Sequence, residues 1–293
     1  MTLPAYSPIR LHEDLDIFRG LVFSTAKATD YSPRLIEKDY YCTVLLEYLA
    51  AADPSLVFKG GTCLAKVHAT FYRLSEDLDF SIPLPRDATR GERRRAAEKF
   101  KTAMASLPDR ISVLQIVQPC KGANNSTQYA AVVAYQSLAT GAADTIKIEA
   151  ALREPLLTPA IVGAAQTLLL NPVTVQPLLK PVPVNCLSLR EAYAEKFRAA
   201  LSRREAAIRD FYDLDHAIRL LGLQAETAEL IDLVRNKLRV PGNDAVDVSA
   251  ARLDVLRRQV ESQLRPVLRE AEFGQFDLDR AFGIVAKMAE MVR

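Results

Sequence analysis

The segment VFKGGTCLAKVHATFYRLSEDLDFSI, residues 57–82, constrains the fold of this chain more than any other stretch. An apolar run ends in the pair Gly60–Gly61, and residues 62–73 then follow a helical pattern of about three turns. Residues 76–82 alternate acidic and apolar side chains, which is typical of a strand with one buried face. This order of strand, glycine turn, helix and strand predicts an α/β unit built on a sheet.

The glycine turn and the alternating acids indicate chemistry at one end of that sheet. Gly60 and Gly61 let the backbone approach a phosphate closely, and a helix that starts near Thr62 favours an anion at its N-terminus. The alternation places Asp77 and Asp79 on one face, where their carboxylates suit Mg²⁺. The alternative is an ordinary strand-to-helix connection followed by a solvated acidic face.

Further strands are predicted after a helical pattern in residues 91–107. Strand-like alternation separated by polar turns recurs in residues 111–118, 128–138 and 144–153. These segments predict an antiparallel addition to the sheet. In the last of them Lys147 and Glu149 share a face, so Glu149 is predicted as a third carboxylate beside Asp77 and Asp79.

Composition and periodicity both change in the proline-rich residues 155–183, which predicts a domain junction at 156–187. After the junction the chain follows helical patterns, and SLRE at 188–191 has the Ser and Glu of a capping box. The predicted architecture is α+β, with a mixed-sheet domain at 1–155 and a helical C-terminal domain at 188–293. We expect the active site to be completed by the helical domain.

Charge and cysteine usage exclude several classes of protein. The 38 Lys and Arg against 36 Asp and Glu leave a net charge of +2, so any polyanion must be bound by local patches. No CxxC spacing occurs, and neither His68 nor His216 has another possible ligand at a spacing typical of metal sites. Neither a zinc site nor a disulfide framework is therefore predicted. The N-terminus lacks a signal-peptide pattern and no apolar run spans a membrane, so we expect a soluble cytoplasmic protein.

Four segments together resemble the AbiEii/AbiGii toxin family, the nucleotidyltransferase-like toxins of type IV toxin–antitoxin pairs that include the mycobacterial MenT toxins. The segments are FKGGTCLAKVHATFYRLSEDLDFSI, EKDYYCTVLLEYL at 37–49, IKIEAALRE at 146–154 and EAYAEKFRAALSRREAAIRDFYDL at 191–214. The resemblance runs over most of residues 30–220. It implies a polymerase-β-like nucleotidyltransferase fold, an NTP donor, Mg²⁺ and a cognate antitoxin.

The resemblance also implies roles for residues that match the family's motifs. Residues 60–62 match the phosphate-contacting turn, and Asp77 and Asp79 match the two metal-binding carboxylates. Two features differ from a generic nucleotidyltransferase. Thr62 stands in place of the usual Ser, and the third acid is Glu149 where an Asp is usual.

Three residues of the helical domain match later motifs of the family. Lys196 matches the Lys of the third motif, which implies contact with the triphosphate, and Asp210 and Asp213 match the RDxYD motif. Each of the three could also have a purely structural role. Lys196 can bury its stem and solvate its ammonium, and Asp213 can form a local ion pair with Arg209.

Residues near these motifs carry further predictions. Lys66 follows the glycine turn by about one helical turn, so it either reaches a phosphate or is an ordinary surface lysine. Lys38 and Asp39 are expected to buttress the active site through a salt bridge. Ser75 immediately precedes the acids, and a phosphate there would bring about two negative charges into a triphosphate site, so we predict regulatory phosphorylation.

By resemblance to the MenT branch, the expected activity is addition of pyrimidine nucleotides, from CTP or UTP, to the 3′ end of tRNA, which blocks aminoacylation and translation. The basic residues expected to follow the acceptor stem are Arg93, Arg94, Arg95, Arg198, Arg203, Arg204, Arg235, Arg257 and Arg258. Two alternatives stay open. One is a nucleotidyltransferase that modifies a protein or small molecule, and the other is a catalytically silent nucleotide-binding module.

Overall fold

The computed structural model of the protein describes residues 10–293. The chain divides into two compact units, the second of which comprises Leu157–Pro159 and Ser188–Arg293. Residues 1–9, which carry much of the segment used to predict that there is no signal peptide, lie outside the described residues. Within residues 10–293 no helix is both long enough and apolar enough to cross a membrane.

One mixed sheet forms the centre of the first unit. Its strands in residues 10–293 are β1 Val57–Lys59, β2 Leu78–Ser81, β3 Gln115–Ala123, β4 Gln128–Gln136, β5 Ala143–Ala151, β6 Ile161–Ala165 and β7 Val182–Cys186. Their order across the sheet is β3-β4-β5-β2-β1-β7-β6. The pairs β2–β5 and β1–β7 are parallel, and the other neighbours are antiparallel. The predicted α+β class is confirmed. The predicted strands β3, β4 and β5 are antiparallel to one another, but β5 joins β2 as a parallel pair.

Helices pack on this sheet to complete the core. They are α1 Leu15–Thr29, α2 Pro33–Ala52, α3 Gly60–Cys63, α4 Arg90–Ala96 and α5 Glu98–Arg110. Ser32 caps helix α2, because its side chain accepts a hydrogen bond from the Leu35 N–H, and Pro33 occupies the first turn. Tyr40 of α2 and Phe58 and Phe80 of the sheet are fully or almost fully buried in one apolar cluster.

Helix α2 also carries three consecutive charged residues, Glu37, Lys38 and Asp39, into the interior. Buried charges are stable only when they are paired or hydrogen-bonded. Glu37 accepts from the Ser137 hydroxyl at 2.5 Å and from the Leu138 N–H at 2.8 Å. These bonds attach the turn between β4 and β5 to α2, and the other two charges serve the site described below.

The helix predicted for residues 62–73 is shorter and less regular than its pattern indicates. Helix α3 continues as a π-helical turn, Leu64–His68, in which the Ala69 N–H donates to the Leu64 carbonyl at 2.8 Å. Thr70 and Phe71 then have positive φ angles of 44° and 57°. Tertiary contacts explain the difference, since the Tyr31 hydroxyl donates to the Phe71 carbonyl at 2.7 Å and fixes the chain in this path.

The proline-rich stretch predicted as a junction contributes two strands to the sheet. Its ends form β6 and β7, and β7 pairs with β1 through Phe58 and Cys186. Val182, Val184 and Cys186 point inward while Pro183 is exposed, which is ordinary strand alternation. The prolines obscure that alternation in the sequence. Apart from Leu157–Pro159, the stretch belongs to the first unit as far as Leu187.

The second unit is helical in the described residues. Its helices are α6 Leu189–Ser202, α7 Ile208–Leu220, α8 Ala228–Leu238, α9 Ala250–Gln259, α10 Glu270–Gln275 and α11 Leu278–Val292. Ser188 caps α6 by accepting from the Glu191 N–H at 3.2 Å, as the capping pattern predicts. After α9 the chain continues through a π-helical turn, Val260–Leu264, and a short 3₁₀ turn, Arg265–Val267, in which Pro266 cannot donate a helical hydrogen bond.

Candidate functional site

Gly60 lies directly against the carboxylate of Asp79. Its φ of +77° is in the left-handed region, and a Cβ at this position would lie 2.5 Å from Asp79 Oδ2. Asp79 is also the residue that Lys59 of β1 faces on β2. Both the backbone conformation and the available space therefore require glycine at position 60.

The second glycine of the turn lies against a buried arginine. A Cβ at Gly61 would overlap the guanidinium of Arg73, whose side chain is only 2% exposed. Arg73 Nη1 donates to the Leu74 carbonyl at 3.1 Å. The guanidinium brings a permanent positive charge to the inner side of the turn. The sequence gives no signal for this contact, because the helical pattern of residues 62–73 does not show that Arg73 lies against Gly61.

Thr62 fixes the turn to the acidic strand. Its side chain is buried, and its hydroxyl donates to the backbone carbonyl of Asp77. The hydroxyl hydrogen is therefore used within the protein. Thr62 joins the two halves of the motif that the sequence singles out, residues 60–62 and the acids of β2.

The predicted acids Asp77, Asp79 and Glu149 occur together at one part of the sheet, and we call them the acidic cluster. Asp79 faces Glu149 in the register of the parallel pair β2–β5. Asp77 Oδ1 accepts from the Lys147 N–H of β5 at 3.3 Å. All three acids are half-buried. Strand pairing thus brings together residues that are about 70 positions apart in the chain.

Lys147 balances part of the charge of the acidic cluster. Its Nζ lies 2.7 Å from Glu149 Oε2. Burial lowers the pKa of Lys147, but the hydrogen bond and charge of Glu149, with the charges of Asp79 and Asp77, outweigh it and raise the pKa overall. Three carboxylates that retain a cation in this way are hard oxygen donors that fit Mg²⁺ with water in its remaining positions.

The carboxylate oxygens of the acidic cluster do not form a closed single-ion cage. Within residues 10–293 they do not belong to a set of ligand atoms that all lie within 4.8 Å of one another. Mg²⁺ usually takes only one or two carboxylates and keeps several waters, so a spread arrangement is compatible with it. Lys147 was recognised in the sequence only as a neighbour of Glu149 on the same face.

An ion-pair network fixes the residue that precedes Asp77. Lys38 Nζ lies 3.0 Å from Glu76 Oε2 and 3.2 Å from Asp144 Oδ1, and Arg34 also contacts both acids. Burial raises the pKa of Glu76, but Lys38 and Arg34 lower it further than burial raises it. A salt bridge was predicted for Lys38, and this network is that contact.

Lys66 is buried, so the prediction of an ordinary surface lysine is wrong. Its Nζ lies 2.6 Å from Asp39 Oδ1 and donates to the Thr43 hydroxyl at 2.7 Å. Asp39 also accepts from the Leu168 N–H at 2.9 Å. The ammonium is used inside the first unit, and we therefore assign Lys66 to positioning the segment after the glycine turn and not to phosphate contact.

Ser75 lies in the segment between the π-helical turn and β2 and is half-buried. It precedes Glu76, whose carboxylate binds Lys38 and Arg34, and lies two residues before Asp77. A group attached to its hydroxyl would therefore stand close in the chain to the acidic cluster.

In the second unit, Lys196 of α6 lies between two aspartates of α7. Its Nζ is 2.7 Å from Asp210 Oδ1 and 2.7 Å from Asp213 Oδ2. The side chain of Asp213 is fully buried, and Lys196 is almost so. The alternative in which Lys196 solvates its ammonium is wrong. Among the described residues Asp210 Oδ2 has no hydrogen-bond partner, although Arg203 Nη1 lies 3.6 Å away.

The arginines predicted to follow an RNA differ in accessibility. Arg93 is buried and donates to the Arg86 carbonyl at 3.4 Å, and Arg235 donates to the Met291 carbonyl at 2.6 Å. Those that are exposed are Arg94, Arg95, Arg203, Arg204, Arg257 and Arg258.

The structure also contradicts the prediction that the cysteines and histidines form no metal-ligand set. Cys63, His68 and Cys186 each offer a ligand atom within 4.8 Å of the other two. The π-helical turn and the pairing of β7 with β1 bring them together. The sequence pattern shows neither feature.

Comparison with known proteins finds a family and a shared fold. The sequence model described as the nucleotidyl transferase AbiEii toxin of a type IV toxin–antitoxin system matches residues 44–284. The MenT4 nucleotidyltransferase toxin from Mycobacterium tuberculosis matches the structure with a TM-score of 0.56 and 20% identity, over 94% of this chain and 99% of that chain. JHP933 from Helicobacter pylori matches with a TM-score of 0.51 and 16% identity, over 89% and 93%. No curated protein matches the sequence.

Proposed function

Because the chain belongs to the nucleotidyl transferase AbiEii toxin family of type IV toxin–antitoxin systems, we propose that it transfers a nucleoside monophosphate from an NTP to the 3′ end of tRNA. Membership in the family implies an NTP donor and an antitoxin partner. The observation that carries the proposal is the close approach of Gly60 to Asp79, with Glu149 facing Asp79 on the next strand. A turn that can approach phosphate and carboxylates that can bind a metal ion are what nucleotidyl transfer needs.

Asp77, Asp79 and Glu149 are the residues that would bind Mg²⁺. When bound, the ions activate the attacking hydroxyl and neutralise charge on the triphosphate. Lys147 pairs with Glu149 at 2.7 Å and so limits the charge repulsion within the acidic cluster.

The phosphates would be bound by the backbone N–H groups of residues 60–62. Thr62 keeps this turn against β2 by its hydrogen bond to Asp77, and the Arg73 guanidinium adds a positive charge beside Gly61. Lys196 would contact the triphosphate, as its match to the family's third motif implies. Asp210 and Asp213 orient its ammonium through two contacts of 2.7 Å each.

The acceptor in this proposal is tRNA, and its modified 3′ end would no longer be aminoacylated, so translation would stop. A pyrimidine nucleotide from CTP or UTP is the donor that the resemblance to MenT toxins favours. With a net charge of only +2, affinity for RNA depends on local arginines and should fall steeply with salt.

Ser75 is proposed as a regulatory site in this function. Phosphorylation there would place about two negative charges next to the acidic cluster and repel the triphosphate. We expect Ser75→Glu to lose at least tenfold in transfer rate while Ser75→Ala keeps the wild-type rate. Equal rates for the two variants, measured on the same RNA, would contradict the regulatory role.

The acceptor is tested by incubating the protein with Mg²⁺, total RNA and each of the four NTPs in turn, labelled at the α-phosphate. We expect label on tRNA, with CTP or UTP as donor, and loss of that label after removal of the 3′-terminal nucleotide. Label on protein or on a small molecule, with none on RNA, would show that the acceptor is not tRNA. No label on any acceptor would favour a silent nucleotide-binding module.

A further inference from the structure

Cys63, His68 and Cys186 form a compact group in the first unit, and this group lies outside the acidic cluster. One ligand atom from each residue lies within 4.8 Å of the other two. Both cysteines are 0% exposed, whereas His68 is half-buried. Within residues 10–293 these are the three His, Cys, Asp or Glu side chains whose ligand atoms lie close enough together to bind one metal ion.

The π-helical turn is what places His68 near Cys63. In a regular α-helix, residues five positions apart lie roughly 140° apart around the axis and face different sides. The i→i+5 turn at Leu64–His68 reduces that angle and returns His68 toward the face of Cys63. Cys186 reaches the same place from β7, where it pairs with Phe58 of β1.

The hydrogen bond of His68 fixes which ring nitrogen is available. His68 Nε2 lies 3.1 Å from the Leu187 carbonyl oxygen. A carbonyl can only accept, so Nε2 must carry the hydrogen, and Nδ1 retains its lone pair. Histidines that bind metals characteristically donate their other N–H to a carbonyl or carboxylate in this way.

The surroundings of Cys186 are built for close approach to its sulfur. A Cβ at Gly163 of β6 would lie 2.8 Å from Cys186 Sγ and 2.5 Å from Val67 Cγ1. Any larger residue would displace the sulfur or the π-helical turn.

We propose that Cys63, Cys186 and His68 Nδ1 bind one thiophilic divalent cation, best matched by Zn²⁺, with the fourth tetrahedral position open to water. Two thiolates and one imidazole are a known three-ligand set for zinc, and soft sulfur ligands discriminate against Mg²⁺. The two thiolate charges cancel the charge of the cation, so the buried position is not left with a net charge. The site is separate in chemistry from the acidic cluster and does not rest on the proposed function.

Such an ion would connect two elements that border the glycine turn. Cys63 directly follows residues 60–62, and Cys186 lies on β7 beside β1, which leads into the turn. Binding of the ion to the folded state alone would stabilise that state. The proposed role is therefore to fix the segment after the glycine turn.

The experiment uses the full chain, reduced, treated with a chelator and then titrated with Co²⁺ as a spectroscopic substitute for Zn²⁺. We expect one equivalent to bind, with sulfur-to-cobalt charge-transfer bands in the near ultraviolet and the visible bands of tetrahedral cobalt, and Zn²⁺ to displace it. Cys186→Ser and His68→Gln should each weaken binding by at least about tenfold. Cys120→Ser, which changes a half-buried cysteine outside the group, should bind as the wild type does.

Two results would overturn the proposal. The first is the absence of the cobalt bands from the reduced wild-type protein. This result counts equally if Cys63 and Cys186 are found as a disulfide before the protein is reduced. The second is an unchanged spectrum in His68→Gln, a variant that alters a half-buried side chain and tests the site even if Cys186→Ser fails to fold. A rise in melting temperature with Zn²⁺ in the wild type and Cys120→Ser, absent in His68→Gln, would support it.

Discussion

At the scale of single residues, the glycine turn shows how one backbone conformation can determine a site. Gly60 combines a φ of +77° with a carboxylate 2.5 Å from where a Cβ would lie. Gly141 has a similar φ of +71° but nothing within 4 Å. The two positions therefore separate backbone strain from contact with Asp79.

We expect Gly60→Ala to be more damaging than Gly141→Ala. Both variants should lose about 1–2 kcal/mol of folding stability, because alanine disfavours the left-handed backbone conformation. Only Gly60→Ala should also displace Asp79. Denaturant unfolding should give a lower free energy of unfolding for Gly60→Ala, and its transfer rate should fall at least tenfold while Gly141→Ala keeps its rate. Equal losses in the two variants would show that Asp79 does not depend on the shape of the turn.

Glu76 gives a prediction about pH. Burial raises the pKa of Glu76, but the charges and hydrogen bonds of Lys38 and Arg34 lower it by more. The pKa of Glu76 is therefore below its ordinary value of 4.5. A carboxylate with a depressed pKa contributes stability that is present above its ordinary pKa and is lost as the pH falls through the folded value. Glu76 thus stabilises the folded state at neutral pH and not in strong acid.

The variant Glu76→Gln should accordingly be less stable than the wild type by about 1–2 kcal/mol at pH 7. The difference should shrink as the pH falls below 4.5, because the wild-type carboxyl becomes protonated as well. Thermal unfolding across this range measures it, with Glu98→Gln, which changes an exposed ion pair, as the control. A difference that is constant with pH would contradict the ionic role of Glu76.

At the scale of elements, α2 and the π-helical turn are joined by the buried pair Lys66–Asp39. The two side chains are 1% and 3% exposed, and Asp39 also accepts from residues 167 and 168 ahead of β7. One ion pair therefore connects three separate parts of the first unit. The segment that follows the glycine turn depends on it.

Lys66→Met should destabilise the protein by about 3–5 kcal/mol, because it leaves the Asp39 carboxylate buried without its cation. The matched control is Lys101→Met, which removes an ammonium from a partly exposed pair with Glu98 and should change stability by less than about 1 kcal/mol. Chemical denaturation compares the two. A loss for Lys66→Met as small as that of the control would mean that Asp39 is stabilised by its other donors alone.

Sequence patterns were sufficient for elements whose local signals agree with their tertiary surroundings. The Ser188 start of α6 and the acidic alternation of β2 are examples, and both elements occur where their patterns predict. The patterns were insufficient where long-range contacts decide. Prolines concealed β6 and β7, whose strand character comes from pairing with the sheet, and the buried ion pair of Lys66 accompanies a π-helical turn where the pattern predicts a regular helix.

The site follows the same division. The acidic cluster could be predicted because its members lie in alternating strands that a parallel pair brings into register. Arg73 and the group of Cys63, His68 and Cys186 could not be predicted, since each depends on the exact path of the chain between α3 and β2 or on β7. Residue type alone carries no information about such contacts.

At the scale of the whole molecule, the chain combines an α+β unit that carries the acidic cluster with a helical unit that carries Lys196 and its two aspartates. The family spans both, since its sequence model matches residues 44–284. In the proposed function the carboxylates beside the glycine turn support nucleotidyl transfer. Asp79 is the most informative of them to change, because it lies against the turn and faces Glu149.

The most direct test is the initial rate of labelled nucleotide transfer to tRNA by Asp79→Asn, with Asp87→Asn, an exposed aspartate of the same unit, as the control. In the proposed function Asp79 binds Mg²⁺, and loss of such a carboxylate would remove several kcal/mol of charge stabilisation, so the rate of Asp79→Asn should fall at least about a hundredfold. Asp87→Asn should transfer at the wild-type rate, and circular dichroism should show both variants folded. A folded Asp79→Asn protein that retains the wild-type rate would contradict the account.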